Sequence, residues 1–215
     1  MLVVVLAVLT GAVTLVDWYA TSRPERPAWQ QLSRPAPMAL LAATVVAADG
    51  FDHAASVWLV GAIVLGGIGD AFLVDPTEGR FIGGLASFLL GHLSYVATFL
   101  AVGVDESWWT IGGGLVVIAA FTIARYVLPS AHARGGVGLA APVATYMCVI
   151  GGMTITGWST GDWLVAAGTA IFVCSDTMLA INRFVRELSW SRLPVITTYH
   201  VGQFLIAAGV LRMIT

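Results

Sequence analysis

Two aspartates interrupt long apolar segments of this 215-residue sequence. Asp70 stands in the segment GDAFL (69–73), and Asp176 stands in the similar segment SDTML (175–179). Two carboxyl groups that meet away from water can share one proton, so that one acts as an acid while the other acts as a base. The aspartates therefore predict acid–base chemistry, provided that the fold brings them together.

The composition predicts the class of protein that must position these residues. Hydrophobic residues make up 58% of the chain and charged residues only 10%, whereas a soluble domain carries about 25% charged residues. Apolar runs of roughly 17–22 residues are long enough for helices that cross about 30 Å of hydrocarbon. We expect an all-α integral membrane protein with a single transmembrane domain over residues 1–215. The net charge of −2 predicts no nucleic-acid partner.

The apolar runs predict eight transmembrane helices. Their expected bounds are 2–20, 36–49, 57–74, 81–102, 108–128, 137–156, 163–182 and 194–213. The second is the weakest, because its uninterrupted apolar stretch is short for a crossing. We interpret the first run as a retained span instead of a signal peptide, because its arginines follow the run and do not precede it.

The charges alternate along this map, and arginine supplies all ten basic residues because lysine is absent. Nine arginines lie on the side reached after odd-numbered spans: Arg23, Arg26, Arg34, Arg80, Arg125, Arg134, Arg183, Arg186 and Arg192. Acidic residues occupy the other loops: Asp49, Asp52, Asp105, Glu106 and Asp162. The positive-inside rule makes the arginine side cytoplasmic and both termini extracytoplasmic. The composition also favours a bacterial source, and hence the bacterial cytoplasmic membrane.

Further polar residues that are unusual in lipid fall at a depth similar to that of the aspartates. They are His92, Tyr95, Arg125, Tyr199, His200 and Gln203. A shared polar cavity that opens toward the cytoplasm would explain this agreement, because ionisable groups in a membrane usually face a protein interior or a water-filled cavity. We expect His200 to be structural or lipid-facing, since it is adjacent to Tyr199.

Small residues and a sequence echo predict how the helices pack. Gly83, Ser87 and Gly91 recur every four positions, which is typical of a face that a neighbouring helix approaches closely. Each aspartate segment is followed by an Arg-Phe pair (80–81 and 183–184) and then by a span that contains a histidine. This echo favours two parallel four-helix repeats.

The residues alone leave three functions open. The first is acid–base hydrolysis by Asp70 and Asp176 without a cofactor. The second is a metal-dependent lipid hydrolase in which the aspartates and His92 bind Zn²⁺, although no H-x-x-x-H spacing supports it. The third is a proton-coupled transporter of small molecules, in which the buried acids carry protons.

The sequence resembles the YhhN-like family of membrane proteins, which includes the lysoplasmalogenases, over nearly the whole chain. The resemblance is carried by Arg34-Pro35, Gly69-Asp70-x-x-Leu73, Phe81-x-x-Gly84 with Phe88, His92-x-x-Tyr95, Ser175-Asp176-x-x-Leu179 with Asn182 and Phe184, and Tyr199 with Gln203. The arginine at position 34, where lysine is more usual in the family, is a conservative departure.

The resemblance implies an eight-span ether hydrolase that cleaves the vinyl-ether bond of lysoplasmalogens in the choline or ethanolamine class. The products would be a fatty aldehyde and a glycerophospho-headgroup. Asp70 and Asp176 would be catalytic, and other residues would bind the lysophospholipid: His92, Tyr95, Tyr199, Gln203 and Asn182 near the reacting atoms, and Arg80, Arg125 or Arg183 at the phosphate. With the resemblance included, we rank ether hydrolysis first, metal-dependent hydrolysis second and transport third.

Overall fold

The computed structural model of the chain describes residues 1–23, 29–74, 77–104 and 107–215. Arg26, Asp105 and Glu106, which entered the charge pattern, lie outside these residues. Every regular element in the described part is helical. Six of the helices are long and apolar enough to cross a membrane, and two further apolar helices are shorter. The prediction of an all-α membrane protein is confirmed, while the number of crossings stays a prediction.

The helices follow the predicted order. They are α1 (Leu2–Ser22), α2 (Gln30–Ser33), α3 (Ala36–Asp49), α4 (Ala54–Leu73), α5 (Glu78–Val102), α6 (Ser107–Phe121), α7 (Ala124–Ser159), α8 (Trp163–Ala180) and α9 (Arg192–Ile214). A π-helical turn, Ile181–Val185, follows α8. Helix α3 has the predicted bounds, and Gly50, which ends it, adopts the left-handed conformation with φ of 62°. Left-handed backbone is accessible to glycine because it has no Cβ.

The fifth and sixth predicted spans differ from the structure. Helix α6 ends at Phe121, seven residues before the predicted end, because the chain tightens at Ile123, whose N–H donates to the carbonyl three residues back (3.1 Å to Ala120 O). The Thr122 hydroxyl also bonds to a backbone carbonyl (2.7 Å to Ala119 O), a local bond that competes with continuation of the helix. Arg125 therefore lies in the first turn of α7, and its predicted place at the end of the fifth span is wrong.

Where a loop was predicted between the fifth and sixth spans, the structure has a short non-helical break within α7. Gly135 and Gly136 are non-helical, and Gly136 has φ of 61° and ψ of −155°. This combination is essentially restricted to glycine, since a Cβ would clash with the backbone. The break divides α7 into a segment that ends at Arg134 and a longer segment that begins at Val137.

The chain divides into two compact units, residues 1–102 with 207–215, and residues 103–206. In the first unit α4 packs closely against α5. A Cβ added to Gly91 would lie 3.3 Å from Ala62 O, and the Ser87 hydroxyl donates to Leu65 O across the two helices at 2.6 Å. A Cβ at Gly83 would lie 2.9 Å from the Phe72 ring. The predicted small-residue face on α5 is thus confirmed.

The second unit also contains a close crossing, between α8 and α9. A Cβ added to Gly202 would lie 2.9 Å from Gly168 O, and the Ser175 hydroxyl donates to Val195 O at 2.7 Å. Asp162 directly precedes helix α8, and its carboxylate accepts from the N–H groups of Leu164 and Val165. This side-chain cap satisfies two of the backbone donors that the first turn of a helix leaves unpaired.

Candidate functional site

Asp70 lies in the first unit, in the last turn of α4, and its residue is only 4% exposed. The neighbouring residue explains how the helices close around it. A Cβ at Gly69 would lie 2.6 Å from the Phe88 ring of α5, so only glycine permits this approach. The sequence thus buries a carboxyl group by removing the side chain beside it.

His92 and Tyr95 lie on α5 and are each 1% exposed. The Tyr95 ring stacks on Phe99 with centroids 6.0 Å apart. Both residues therefore belong to the interior of the first unit, the same unit that contains Asp70. Their predicted place away from lipid is confirmed, whereas their role toward a substrate stays a prediction.

Asp176 lies in the second unit, in the last turns of α8, and is partly exposed. The Tyr146 hydroxyl on α7 donates a hydrogen bond to Asp176 Oδ2. A hydrogen bond to a carboxylate is stronger than one between neutral groups. The bond also fixes the orientation of the carboxyl group, because it ties α8 to a neighbouring helix at this point.

Aromatic rings surround the polar residues of α9. Tyr199 meets Phe172 edge-on at 5.4 Å between centroids, and His200 stacks on Phe204 at 6.1 Å. Tyr199, His200 and Gln203 are all buried. Of the two expectations for His200, the lipid-facing one is wrong, because His200 is buried beside Tyr199 with ring centroids 5.2 Å apart. The structural role of His200 stays a prediction.

The remaining predicted substrate-binding residues make local structural contacts. Asn182 Oδ1 accepts from Leu188 N at 2.8 Å. Arg80 donates to Ala71 O at 2.9 Å, at the end of α4. Arg125 lies over the Tyr126 ring, 4.8 Å from its centroid, and Arg183 O accepts from Arg134 Nη1 at 2.7 Å. Phosphate binding by these arginines stays a prediction.

Sequence reasoning missed two side chains that form defined polar contacts in the structure. One is Tyr146, a tyrosine in a long apolar run that carries no local sign of its partner 30 residues away. The other is Asp17, which is fully buried in α1 and forms an ion pair with Arg34 (3.2 Å between Oδ2 and Nη1). An acidic residue inside the first apolar run was the available signal for this pair, since charges in such runs are costly.

The arrangement supplies carboxyl groups at two places, each on a helix that is otherwise largely apolar. One carboxyl group is buried beside an α4–α5 crossing, and the other is hydrogen-bonded to a tyrosine. Groups of this kind can donate and accept protons. Within the part of the chain that the structure describes, no three His, Cys, Asp or Glu side chains are grouped as metal ligands.

Known proteins similar to this chain carry a consistent name. The chain is 31% identical to lysoplasmalogenase TMEM86B of Mus musculus, over 73% of this chain and 65% of that protein. It is 28% identical to lysoplasmalogenase TMEM86A of Homo sapiens, over 67% and 61%. It is also 29% identical to a lysoplasmalogenase of Mycobacterium tuberculosis, over 71% and 59%. The chain thus spans about three fifths of the length of these relatives.

No solved structure matches the chain. The family comparison is more extensive than the pairwise ones, since the model of the YhhN family matches residues 29–210. The matched region begins just before α2 and contains both aspartates, together with Tyr146 and the buried residues Tyr199, His200 and Gln203 of α9. Because the match covers most of the chain, including every predicted site residue, this chain belongs to the YhhN family.

Proposed function

We propose that this chain is a membrane-embedded ether hydrolase that cleaves the vinyl-ether bond of lysoplasmalogens. The observation that carries the proposal is the position of Asp70 and Asp176, two acids on apolar helices within the region that matches the family. Carboxyl groups at membrane depth are costly and usually mark function. The printed names of the relatives, from mammals and mycobacteria, give the reaction class.

The chemistry of a vinyl ether suits an acid–base pair. Proton transfer from a carboxylic acid to the alkene carbon that is not bonded to oxygen produces an oxocarbenium ion. Water then adds to this cation and gives its proton to a carboxylate, and the resulting hemiacetal breaks into a fatty aldehyde and a glycerophospho-headgroup with a free hydroxyl. One water is consumed and no redox partner is required. A carboxylate near the cation also stabilises the charge that develops in the transition state.

The surroundings of the two aspartates differ. The Tyr146 hydroxyl donates to Asp176, so this carboxyl group is held in a defined orientation. Asp70, by contrast, is enclosed at the α4–α5 crossing. We propose that the two act jointly in acid–base catalysis, and we do not assign the acid to one and the base to the other. His92, Tyr95, Tyr199, Gln203 and Asn182 are proposed to orient the substrate or the water.

The proposal includes eight crossings of the bacterial cytoplasmic membrane, two parallel repeats and a site that opens toward the cytoplasm. Its support is the arginine alternation together with the agreement between α3 and the predicted second span. Both termini would then be extracytoplasmic. An alkaline phosphatase fused after Thr215 should be active, because this reporter folds only outside the cytoplasm. An inactive but stable fusion would contradict this orientation.

The aspartate roles are tested by Asp70→Asn and Asp176→Asn, each purified in detergent and assayed for aldehyde release from a synthetic lysoplasmalogen. We expect each variant to lose activity by a factor on the order of 10² to 10⁴, the usual contribution of a general acid or base. Asp52→Asn is the matched control, because Asp52 is exposed in the connection between α3 and α4. Full activity in either folded variant would contradict the joint mechanism.

A further inference from the structure

A cluster of polar side chains is buried in the first unit where α1, α2 and the start of α3 meet. We call it the Arg34 cluster: Asp17, Thr21, Gln30, Ser33 and Arg34. Arg34 pairs with Asp17 (3.2 Å) and donates to the Thr21 hydroxyl (2.8 Å). Gln30 Nε2 also donates to Thr21 Oγ1 (3.1 Å). Asp17 is fully buried and Gln30 is 2% exposed, so the cluster belongs to the protein interior.

The ion pair holds one arginine in a defined orientation. A guanidinium carries five N–H donors in a rigid fork, and two terminal nitrogens of Arg34 are engaged by Asp17 and Thr21. The Arg34 side chain remains 15% exposed, and no acceptor for its Nε is found among the described residues. It therefore presents oriented donors that no described residue uses.

The same cluster also contains a buried hydrogen-bond acceptor, the side-chain oxygen of Gln30. Gln30 Oε1 is buried and has no hydrogen-bond partner among the described residues. A buried carbonyl oxygen without a donor is costly, and native proteins seldom leave one unpaired. The cluster thus offers oriented N–H donors for an anion and, beside them, an oxygen that would accept from a hydroxyl group.

The start of α3 connects this cluster to the candidate catalytic residue of the first unit. A Cβ added to Gly67 of α4 would lie 3.1 Å from Met38 Cβ and 3.7 Å from Pro35 O, directly after Arg34. Gly67 and Asp70 are three residues apart and so share a face of α4. The chain that carries Arg34 therefore packs against α4 at Gly67, which precedes Asp70 by about one helical turn, ~5.4 Å along the axis.

We propose that the Arg34 cluster binds the phosphoglycerol end of a lysophospholipid, with Arg34 on the phosphate and Gln30 Oε1 on the free glycerol hydroxyl. Asp17 and Thr21 are positioning residues that hold the guanidinium. This inference rests on the proposed function for the identity of the lipid. Three glycerol carbons separate the ether oxygen from the phosphate, a span comparable to the single turn of α4 between Gly67, against which the start of α3 packs, and Asp70.

Binding of a lipid that cannot react tests the proposal apart from catalysis. The probes are a saturated 1-alkyl lysophosphatidylethanolamine, the alkylglycerol that lacks the phosphate, and glycerol 3-phosphate, which lacks the chain. Affinities are measured by native mass spectrometry or thermophoresis with the full chain in nanodiscs. We expect the wild-type protein to bind the phosphorylated lipid roughly tenfold or more tightly than the alkylglycerol, because Arg–phosphate hydrogen bonds are charge-assisted.

Two variants then locate that preference. Arg34→Gln should reduce it nearly to one, but it leaves Asp17 as an unpaired buried charge and so endangers folding. The double variant Asp17→Asn with Arg34→Gln removes both charges and should fold while it loses the same preference. Arg23→Gln is the matched control, because Arg23 is an exposed arginine at the end of α1 outside the cluster. It should retain the wild-type ratio.

The outcomes separate this inference from the proposed function. One outcome would support the Arg34 site and contradict the proposed hydrolase: the wild-type protein prefers the phosphorylated lipid, the double variant loses this preference, and the wild-type protein releases no measurable aldehyde from lysoplasmalogen. A wild-type ratio near one, or a folded double variant that keeps the full ratio, would overturn the Arg34 site whatever the activity. Glycerol 3-phosphate binding as tight as that of the lipid would also overturn it, since the site would then serve a soluble phosphate ester.

Gln30→Leu tests the second contact. In the wild type a probe whose free glycerol hydroxyl is methylated should bind several-fold more weakly than the parent lysolipid, because the donor to Gln30 Oε1 is lost. In Gln30→Leu the two probes should bind equally. Equal binding of both probes by the wild-type protein would show that Gln30 Oε1 does not accept a hydrogen bond from this hydroxyl.

Discussion

The helix pairs α4–α5 and α8–α9 are built on similar sequences yet surround their aspartates differently. In each pair an aspartate lies near the end of the first helix and a histidine is buried in the second. In each pair a serine hydroxyl bonds to a backbone carbonyl across the crossing, but the serine is Ser87 on the second helix of one pair and Ser175 on the first helix of the other.

The surroundings of the two carboxyl groups differ more than their sequences do. Asp70 is enclosed at the crossing of two helices, whereas Asp176 is partly exposed and receives a bond from a third helix through Tyr146. The similar sequences therefore place Asp70 and Asp176 at similar positions in their helices, but the side chains around the two carboxyl groups differ. Two acids with unequal surroundings suit a reaction that requires a donor and an acceptor at once.

The largest expected effect that would sharpen this comparison comes from Tyr146→Phe. Loss of the bond to Asp176 should slow aldehyde release by roughly tenfold to a hundredfold, because a hydrogen bond to a charged group contributes about 1.5–3 kcal/mol. The pH–rate profile should move as well, since a hydrogen bond changes the proton affinity of the carboxyl group that accepts it. Rates measured from pH 5 to pH 9 in detergent would detect both changes.

The control for this variant is Tyr126→Phe, because Tyr126 is an exposed tyrosine in the first turn of the same helix. It should behave as the wild type. If Tyr146→Phe retained the wild-type rate and pH profile, the bond to Asp176 would be structural only, and the contrast between the two aspartates would lose its functional meaning.

A smaller effect on stability should distinguish the two helix crossings. In Gly202→Ala the new Cβ would lie 2.9 Å from Gly168 O, whereas in Gly91→Ala it would lie 3.3 Å from Ala62 O. Overpacking costs about 1–3 kcal/mol, so Gly202→Ala should lower the apparent Tm in detergent more than Gly91→Ala does. An equal or reversed order of Tm values would show that α8 and α9 separate more easily than α4 and α5.

The smallest effect should be shared by both pairs. Ser87→Ala and Ser175→Ala each remove one hydroxyl bond to a carbonyl across a crossing. Such bonds contribute on average about 0.6 kcal/mol within membranes, and both variants should show a similarly slight decrease in apparent Tm. A large loss in one variant alone would mean that its crossing depends on this single bond.

The sequence predicted most helices because apolar length and glycine positions are local properties. Helices α1, α3, α4, α5, α8 and α9 lie within three residues of their predicted bounds. The end of α6 could not be predicted from apolar length, since Thr122 and Ile123 are apolar enough to continue a span. Their tightened backbone hydrogen bonds, which no apolarity pattern reports, end the helix there.

The candidate site was predictable where a residue is chemically out of place and unpredictable where only a partner makes it specific. Asp70, His92 and Asp176 are conspicuous in apolar runs, so sequence reasoning found them. Tyr146 is an ordinary amphipathic residue until its hydroxyl meets Asp176. Arg34 was counted with the loop arginines, because its ion pair with Asp17 joins segments 17 residues apart and depends on tertiary folding.

The π-helical turn after α8 restricts the number of residues that the segment 181–185 can contain. Arg186 N bonds to Ile181 O, five residues back, at 3.0 Å, so the turn holds one residue more than an α-helical turn would. Deletion of one residue within 181–185 would let the α-helix continue but rotate the following chain by roughly 100°. Phe184 would then leave its buried position. A one-residue deletion here should therefore be tolerated less well than a conservative substitution at any single position of the turn.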